Sequence, residues 1–197
     1  MFPLLLLCFL PFLTAVRHTH NFTHRVAMSL QIDGEEKGDI LIGLWRPDLE
    51  KVVDNFISNC VGFSEVTYTS GHKFGLKGRH FYEIIENTYM KGGDIAPNYN
   101  WGGNQSMYGE GIQAFWRCEN SNYGYEPGIL VHHQTENMDV GSEFYIWLAK
   151  EPLHPAYNSF GLVYEGLDLL KYTIRTAGTS NGKPKRDVVI SNCRLLN

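Results

Sequence analysis

A chain of 197 residues, 43% of them hydrophobic, is long enough to bury a full single-domain core. Its net charge of -4 and pI near 6.0 argue against a dedicated nucleic-acid binder. The most basic run, Lys183-Pro-Lys-Arg186, is short and reads as a solvated turn before the last strand.

The chain opens on an almost uninterrupted apolar run from Phe2 to Val16. A membrane span needs about 20 such residues, so this run has the length of a signal-peptide hydrophobic region, with Ala15 as the small residue at the cleavage point. No Lys or Arg precedes it, and Leu13 is a poor partner for Ala15, two departures from the usual signal pattern. The expected organisation is a cleaved signal over residues 1–15, a flexible polar tail over 16–25 and one folded domain over 26–197. His18, His20 and His24 belong to the tail and read as polar spacing rather than as a metal site. Asn21-Phe22-Thr23 and Asn104-Gln105-Ser106 are glycosylation acceptor sequences, so Asn21 and Asn104 are candidate sugar sites. Together these features point to secretion or the endoplasmic reticulum lumen, with no membrane attachment after cleavage and a monomeric product. Cys8 leaves with the signal, and Cys60, Cys118 and Cys193 permit at most one internal disulfide. Buried thiols and one disulfide both remain open; the spacing offers no zinc site, and no metal or cofactor is expected.

Val26–Ile32 alternates as a strand, Asp33-Gly34 is a hairpin turn and Asp39–Leu44 is the returning strand. Pro47 opens a helix over Asp48–Asn59, with Leu49, Val52, Val53 and Phe56 as its apolar stripe. After a longer connection, Phe81–Ile85 and Tyr89–Lys91 form a hairpin that ends at Gly92-Gly93. A region rich in Asn, Gly and Tyr follows, from Ala96 to Glu126. Gly128–His132, Glu143–Ala149 and Phe160–Tyr164 are further strands, and Leu153–Asn158, which contains Pro155, is a loop. Leu167, Leu170 and Ile174 fall at helical spacing within Gly166–Thr176, and Asn181-Gly182 turns into a last strand, Asp187–Asn192. A mainly β chain with two helices and no repeat fits a closed antiparallel barrel capped by those helices. Small barrels are filled by their own side chains, so a ligand site belongs on the outer wall.

The order of the motifs narrows this further. F-x-x-I-I over Phe81–Ile85, G-G-D over Gly92–Asp94 and G-G-x-x-S-x-Y-G-E over Gly102–Glu110 follow one another. Upstream stand Asp33-Gly34-Glu35, Gly38, Asn55-Phe56 and Gly75-x-Lys77-Gly78. Downstream stand Pro127-Gly128-Ile129-Leu130, Gly141-Ser142-x-Phe144, Phe160-Gly161 and Glu165-Gly166. From about Val26 to Leu196 the chain resembles the cyclophilin family of peptidyl-prolyl isomerases. The resemblance implies an eight-stranded antiparallel barrel with a peptide groove on its outside, and a protein or peptide segment, with or without proline, as partner.

The resemblance also implies the chemistry. Rotation about an X–Pro bond faces a barrier of about 20 kcal/mol from amide resonance. A catalyst must therefore bind the twisted amide better than either planar form. Family members set an arginine against the proline nitrogen and hold the ring in an apolar cup. In this chain the arginine position is Glu83, which when ionised donates no hydrogen bond. The glutamine before G-G-D is Lys91, and the Phe and Met of the cup are Thr88 and Tyr89. The second Phe is Tyr145, the family's Gln beside it is Glu143, and the segment lining the groove is His133-Gln134-Thr135. Leu153 stands at the position of a common Trp, and the histidine before F-G corresponds to Tyr157.

The framework is kept while the groove is replaced. Losing one preorganised donor to a transition state costs about 10²–10³ in rate. The expectation is a peptide-binding member with isomerase activity weak or lost. The alternatives are an active or specialised isomerase that assists folding of secretory proteins, and a groove that has decayed. Glu83 and Lys91 are expected to pair across neighbouring strands.

Overall fold

The computed structural model describes residues 21–45, 49–62, 75–95, 105–107, 109–110, 112–113, 126–133, 139–149 and 157–196. In chain order the elements are β1 (His24–Ile32), β2 (Glu35–Leu44), α1 (Glu50–Val61), β3 (Arg79–His80), β4 (Glu83–Ile85) and β5 (Tyr89–Gly92). The short strands β6 (Gln105–Ser106), β7 (Gly109–Glu110) and β8 (Ile112–Gln113) follow. The chain ends with β9 (Ile129–His133), β10 (Asp139–Val140), β11 (Phe144–Trp147), β12 (Tyr157–Glu165), α2 (Leu167–Ala177) and β13 (Val188–Leu196).

Nine strands form one antiparallel sheet in the order β3-β13-β1-β2-β12-β9-β11-β5-β4, curled into a half-barrel. The sheet has nine strands where eight are expected because the chain is interrupted between β3 and β4. At that interruption the Phe81 N–H donates to Val188 O of β13 (2.9 Å) and the Tyr82 N–H to Lys91 O of β5 (3.1 Å). β6 with β7 and β8 with β10 make two separate two-stranded ladders.

The predicted periodicities place the core. Leu49, Val52, Val53 and Phe56 are all buried, as are Leu170 and Ile174, while Leu167 packs at the edge of the same cluster. Both helices begin two residues or fewer after their expected starts, and each runs past its expected end, α1 to Val61 and α2 to Ala177. Helix termini fray, so offsets of this size change no face. Phe56 meets Phe144 and Phe160 edge-on at 5.2 Å each, tying α1 to the middle of the sheet.

The last strand runs four residues beyond the expected Asn192, to Leu196, and Cys193 within it is bonded to Cys60 at the end of α1. This closes a loop of 133 residues, and cross-links of such span restrict the unfolded chain by roughly 4–5 kcal/mol in the chain-entropy account. Of the two possibilities open at the sequence, the disulfide is the one formed; Cys118 lies outside the described residues.

Two expectations are corrected. Tyr157 and Asn158 are not in a loop: they begin β12, paired with His133 and His132 of β9, because the ladder to β9 continues past Ser159 despite a register shift there. The end of the expected polar tail is also attached to the barrel. His24 and Arg25 already belong to β1, and the Thr23 N–H donates to Leu44 O at 2.8 Å. Phe22 stacks on Trp45 at 6.2 Å and leans on Tyr164 at 5.4 Å. It does so over Gly43, where an added Cβ would come within 2.2 Å of the Phe22 ring. The sequence shows an aromatic among polar residues; the flat glycine patch that receives it lies on β2.

Candidate functional site

Side chains on one strand alternate between two faces. On β5 and β11 the inward set is Met90, Phe144 and Ile146, all buried in the main core. The outward set is Tyr89, Lys91, Tyr145 and Trp147. Register fixes their neighbours: Lys91 lies opposite Glu83 on one side and Tyr145 on the other, and Tyr89 lies between Ile85 and Trp147. Gly93 lets β5 run close beneath β11, since its φ is 97° and an added Cβ would lie 2.2 Å from Ser142 O.

Tyr82 joins this face although it immediately precedes Glu83. Both residues oppose Lys91, Glu83 as its register partner and Tyr82 through its backbone N–H. Both side chains reach the same polar cluster, Tyr82 through its hydroxyl on Glu143 and Glu83 through the hydroxyl of Tyr89. On its far side Glu83 is backed by Gly182, whose carbonyl accepts the Ile84 N–H at 2.8 Å.

The polar groups form one chain. Tyr82 OH donates to Glu143 Oε1, and Lys91 Nζ lies 3.0 Å from that same oxygen. Lys91 Nζ is also 3.8 Å from Glu83 Oε2, while Tyr89 OH donates to Glu83 Oε1. The ammonium further lies 5.1 Å from the Tyr145 ring centre and 5.6 Å from that of Tyr82, within cation–π range. The expected Glu83–Lys91 pair is therefore present but is the longer of two, and Glu143 holds the closer carboxylate. Burial is the largest cause raising the ionisation points of Tyr82, Tyr89 and Tyr145 above that of a free phenol, with neighbouring carboxylates adding to it. All three phenols stay protonated and act as donors or as ring surfaces.

The rest of the wall is aromatic. Tyr89 stacks on Trp147 (4.9 Å, 21° between planes) and meets Tyr145 edge-on at 5.4 Å. Tyr157 lies edge-on to Tyr145 at 5.4 Å and 5.6 Å from Trp147, and His133 meets Tyr157 at 5.0 Å. Behind this wall His132 points inward, stacked on Phe160 at 4.3 Å, and its Nδ1–H donates to the Glu143 backbone carbonyl. Burial pushes its pKa down to about 4, so it is neutral and its Nδ1 proton fixes the strand that carries Glu143.

Of the sequence candidates, Glu83, Tyr89, Lys91, His133, Glu143, Tyr145 and Tyr157 are thus brought together. Thr88 sits at the hairpin turn, its hydroxyl on Glu86 O and its carbonyl accepting Leu148 N–H and Ala149 N–H. Gln134, Thr135, Leu153 and Asn104 lie outside the described residues. Asn21 is exposed. Sequence reasoning missed Tyr82 and Trp147. Trp147 was within reach, two positions after Tyr145 on one strand face; Tyr82 was not, because it adjoins Glu83 and simple alternation would put the two on opposite faces. Among the described residues no group of His, Cys, Asp or Glu could hold a metal ion, and no helix is long and apolar enough to cross a membrane.

The model of the cyclophilin-type peptidyl-prolyl cis-trans isomerases matches residues 27–195. The chain belongs to the cyclophilin family. A relative, peptidyl-prolyl cis-trans isomerase CYP21-1 of Arabidopsis thaliana, is 31% identical over 175 residues, covering 88% of this chain and 75% of the relative. Cyclophilins bind peptide or protein substrates.

Proposed function

We propose that this cyclophilin is a peptide-binding protein of the secretory pathway whose isomerase activity is weak or lost. The observation that carries the reading is the state of Glu83. At the position where the family resemblance implies a guanidinium, a carboxylate accepts the Tyr89 hydroxyl and lies beside an ammonium. An acceptor cannot donate to a proline nitrogen as it becomes pyramidal. Lys91 is the nearest replacement donor, but Glu143 engages it at 3.0 Å, and lysine lacks the rigid fork that would aim it elsewhere. The wall that remains is a broad aromatic surface suited to gripping a chain segment. The Cys60–Cys193 disulfide favours an oxidising compartment, and the apolar leader and the exposed acceptor Asn21 agree with that route.

A protease-coupled X–Pro peptide assay on the mature, disulfide-bonded protein tests this. The wild type should turn over at the uncatalysed rate or only slightly above it. A wild-type rate far above background that Glu83→Arg lowers would instead make this an active, specialised isomerase using Lys91.

A further inference from the structure

We infer that the groove takes a basic side chain of its peptide partner, arginine best of all, against Glu83 and the Tyr89–Trp147–Tyr157 surface. The inference rests on the peptide-binding reading above and names what that site selects. The charge balance comes first. Glu83 and Glu143 place two carboxylates at the groove, and among the described residues the one ammonium paired with them is Lys91. Lys91 stays close to Glu143, which leaves Glu83 the less neutralised of the two. Glu83 is also the more open, its side chain 34% exposed against 22% for Glu143 and 18% for Lys91. One of its oxygens is held by Tyr89 OH, and among the described residues the other has the 3.8 Å contact to Lys91 as its ion pair.

The aromatic surface beside that carboxylate favours the same ligand. Tyr89, Trp147 and Tyr157 are half-buried and lie within 6 Å of one another in the pairs Tyr89–Trp147 and Trp147–Tyr157. An ammonium already rests on the neighbouring rings of Tyr82 and Tyr145, which shows that this wall suits a cation. A neutral pyrrolidine ring would cover a carboxylate that Lys91 neutralises only at 3.8 Å and would gain nothing from it, since burying an incompletely compensated charge is costly. A guanidinium gains from both surfaces: its face stacks on indole and phenol rings while its N–H fork reaches a carboxylate. A lysine side chain makes the same charge contact without the planar stacking.

The test is a selection of random heptapeptides displayed on phage against the full mature protein, followed by calorimetry with the enriched peptides. Recovered sequences should share Arg, with Lys second, at one position. Replacing that Arg by citrulline, which is neutral and nearly isosteric, should weaken binding about tenfold or more. Glu83→Gln keeps an acceptor for Tyr89 OH while removing the charge; it should weaken the Arg peptide similarly and leave the citrulline peptide unchanged. Enriched peptides that lack a basic residue, or that bind equally well with citrulline, would overturn this inference and leave the peptide-binding reading standing. A selection that enriches nothing would overturn both. The citrulline comparison leaves the protein untouched, so it decides the matter even if Glu83→Gln proves unstable.

Discussion

The two faces of strands β4, β5 and β11 obey different rules although their residues alternate along the same backbone. Inward, Ile84, Met90, Phe144 and Ile146 are apolar, fully buried and in contact with α1 and the opposite strands. Outward, Glu83, Tyr89, Lys91, Tyr145 and Trp147 carry hydroxyls, charges and large rings. The inner face is constrained by volume, since a side chain there must fill a fixed space among neighbours on all sides. The outer face is constrained by whatever approaches it. A barrel can therefore change its outer chemistry completely while the inner face, and with it the fold, stays within the family. In this cyclophilin the outer-face Glu83 stands one residue away from the core residue Ile84.

The sharpest way to break that contrast is to disturb the inner face. Phe144 is fully buried, edge-on to Phe56 at 5.2 Å and to Phe81 at 5.9 Å. Phe144→Ala should lower stability by about 3–5 kcal/mol, because it removes a large apolar group and leaves a cavity that rings from α1 and the β3–β4 junction cannot easily fill. Denaturant titration with the disulfide intact measures it. A loss under about 1 kcal/mol would mean that the two faces are not energetically distinct.

His132 tests the boundary between the faces, since it lies inside and holds the backbone of Glu143 on the outer wall. Its pKa is about 4 in the folded protein, against an ordinary value of 6.5, and burial is the cause. Between those two values the unfolded chain binds a proton that the folded chain refuses. Stability from this group is therefore full above pH 6.5, falls as the pH is lowered and levels off below about 4. The span is on the order of 3 kcal/mol. Asp33, Glu35 and Asp39, whose pKa values are lowered chiefly by hydrogen bonds from Arg186, Lys37 and Ser29 respectively, act in the same direction but at more acid pH. Among the described groups whose pKa is displaced, the window from about pH 4.5 to 6.5 thus isolates this histidine. Denaturation midpoints measured across it should slope in the wild type and flatten in His132→Gln; an unchanged slope would assign the effect elsewhere.

The same division explains what the sequence disclosed. Inward positions repeat with the period of their element, so Leu49, Val52, Val53 and Phe56, and later Leu170 and Ile174, were readable as core without any partner in view. That Glu83, Tyr89, Lys91, Glu143, Tyr145 and Tyr157 share the outer wall was readable only through the family resemblance, because nothing in their spacing says that they face one another. Contacts set by distant register were not readable at all. Lys91 reaches Glu143 because β11 lies beside β5, the Tyr82 hydroxyl meets Glu143 across 61 residues, and Cys60 meets Cys193 across 133 residues. Each depends on a pairing that local sequence does not encode.

The smallest effect discriminates most finely, and it concerns which acid holds Lys91. Reading the sequence against the family pairs Lys91 with Glu83, its register partner on β4. The structure gives that pair 3.8 Å and gives Glu143, which immediately precedes β11, 3.0 Å. Both acids also accept a tyrosine hydroxyl, so neither is left bare when the lysine is removed. Partly exposed ion pairs of this kind contribute about 0–1 kcal/mol, and added salt reduces that further. Lys91→Met retains the apolar stem over the Tyr82 and Tyr145 rings and should cost at most about 1 kcal/mol. The informative quantity is the coupling. A double-mutant cycle of Lys91→Met with Glu143→Gln should give an interaction energy near the upper end of that range, and the cycle with Glu83→Gln one nearer zero. A reversed order would mean that Lys91 belongs to Glu83 in solution. It would then be Glu143, not Glu83, that offers the groove its spare negative charge, and the basic side chain of a bound peptide would have to sit one strand further over, against β11.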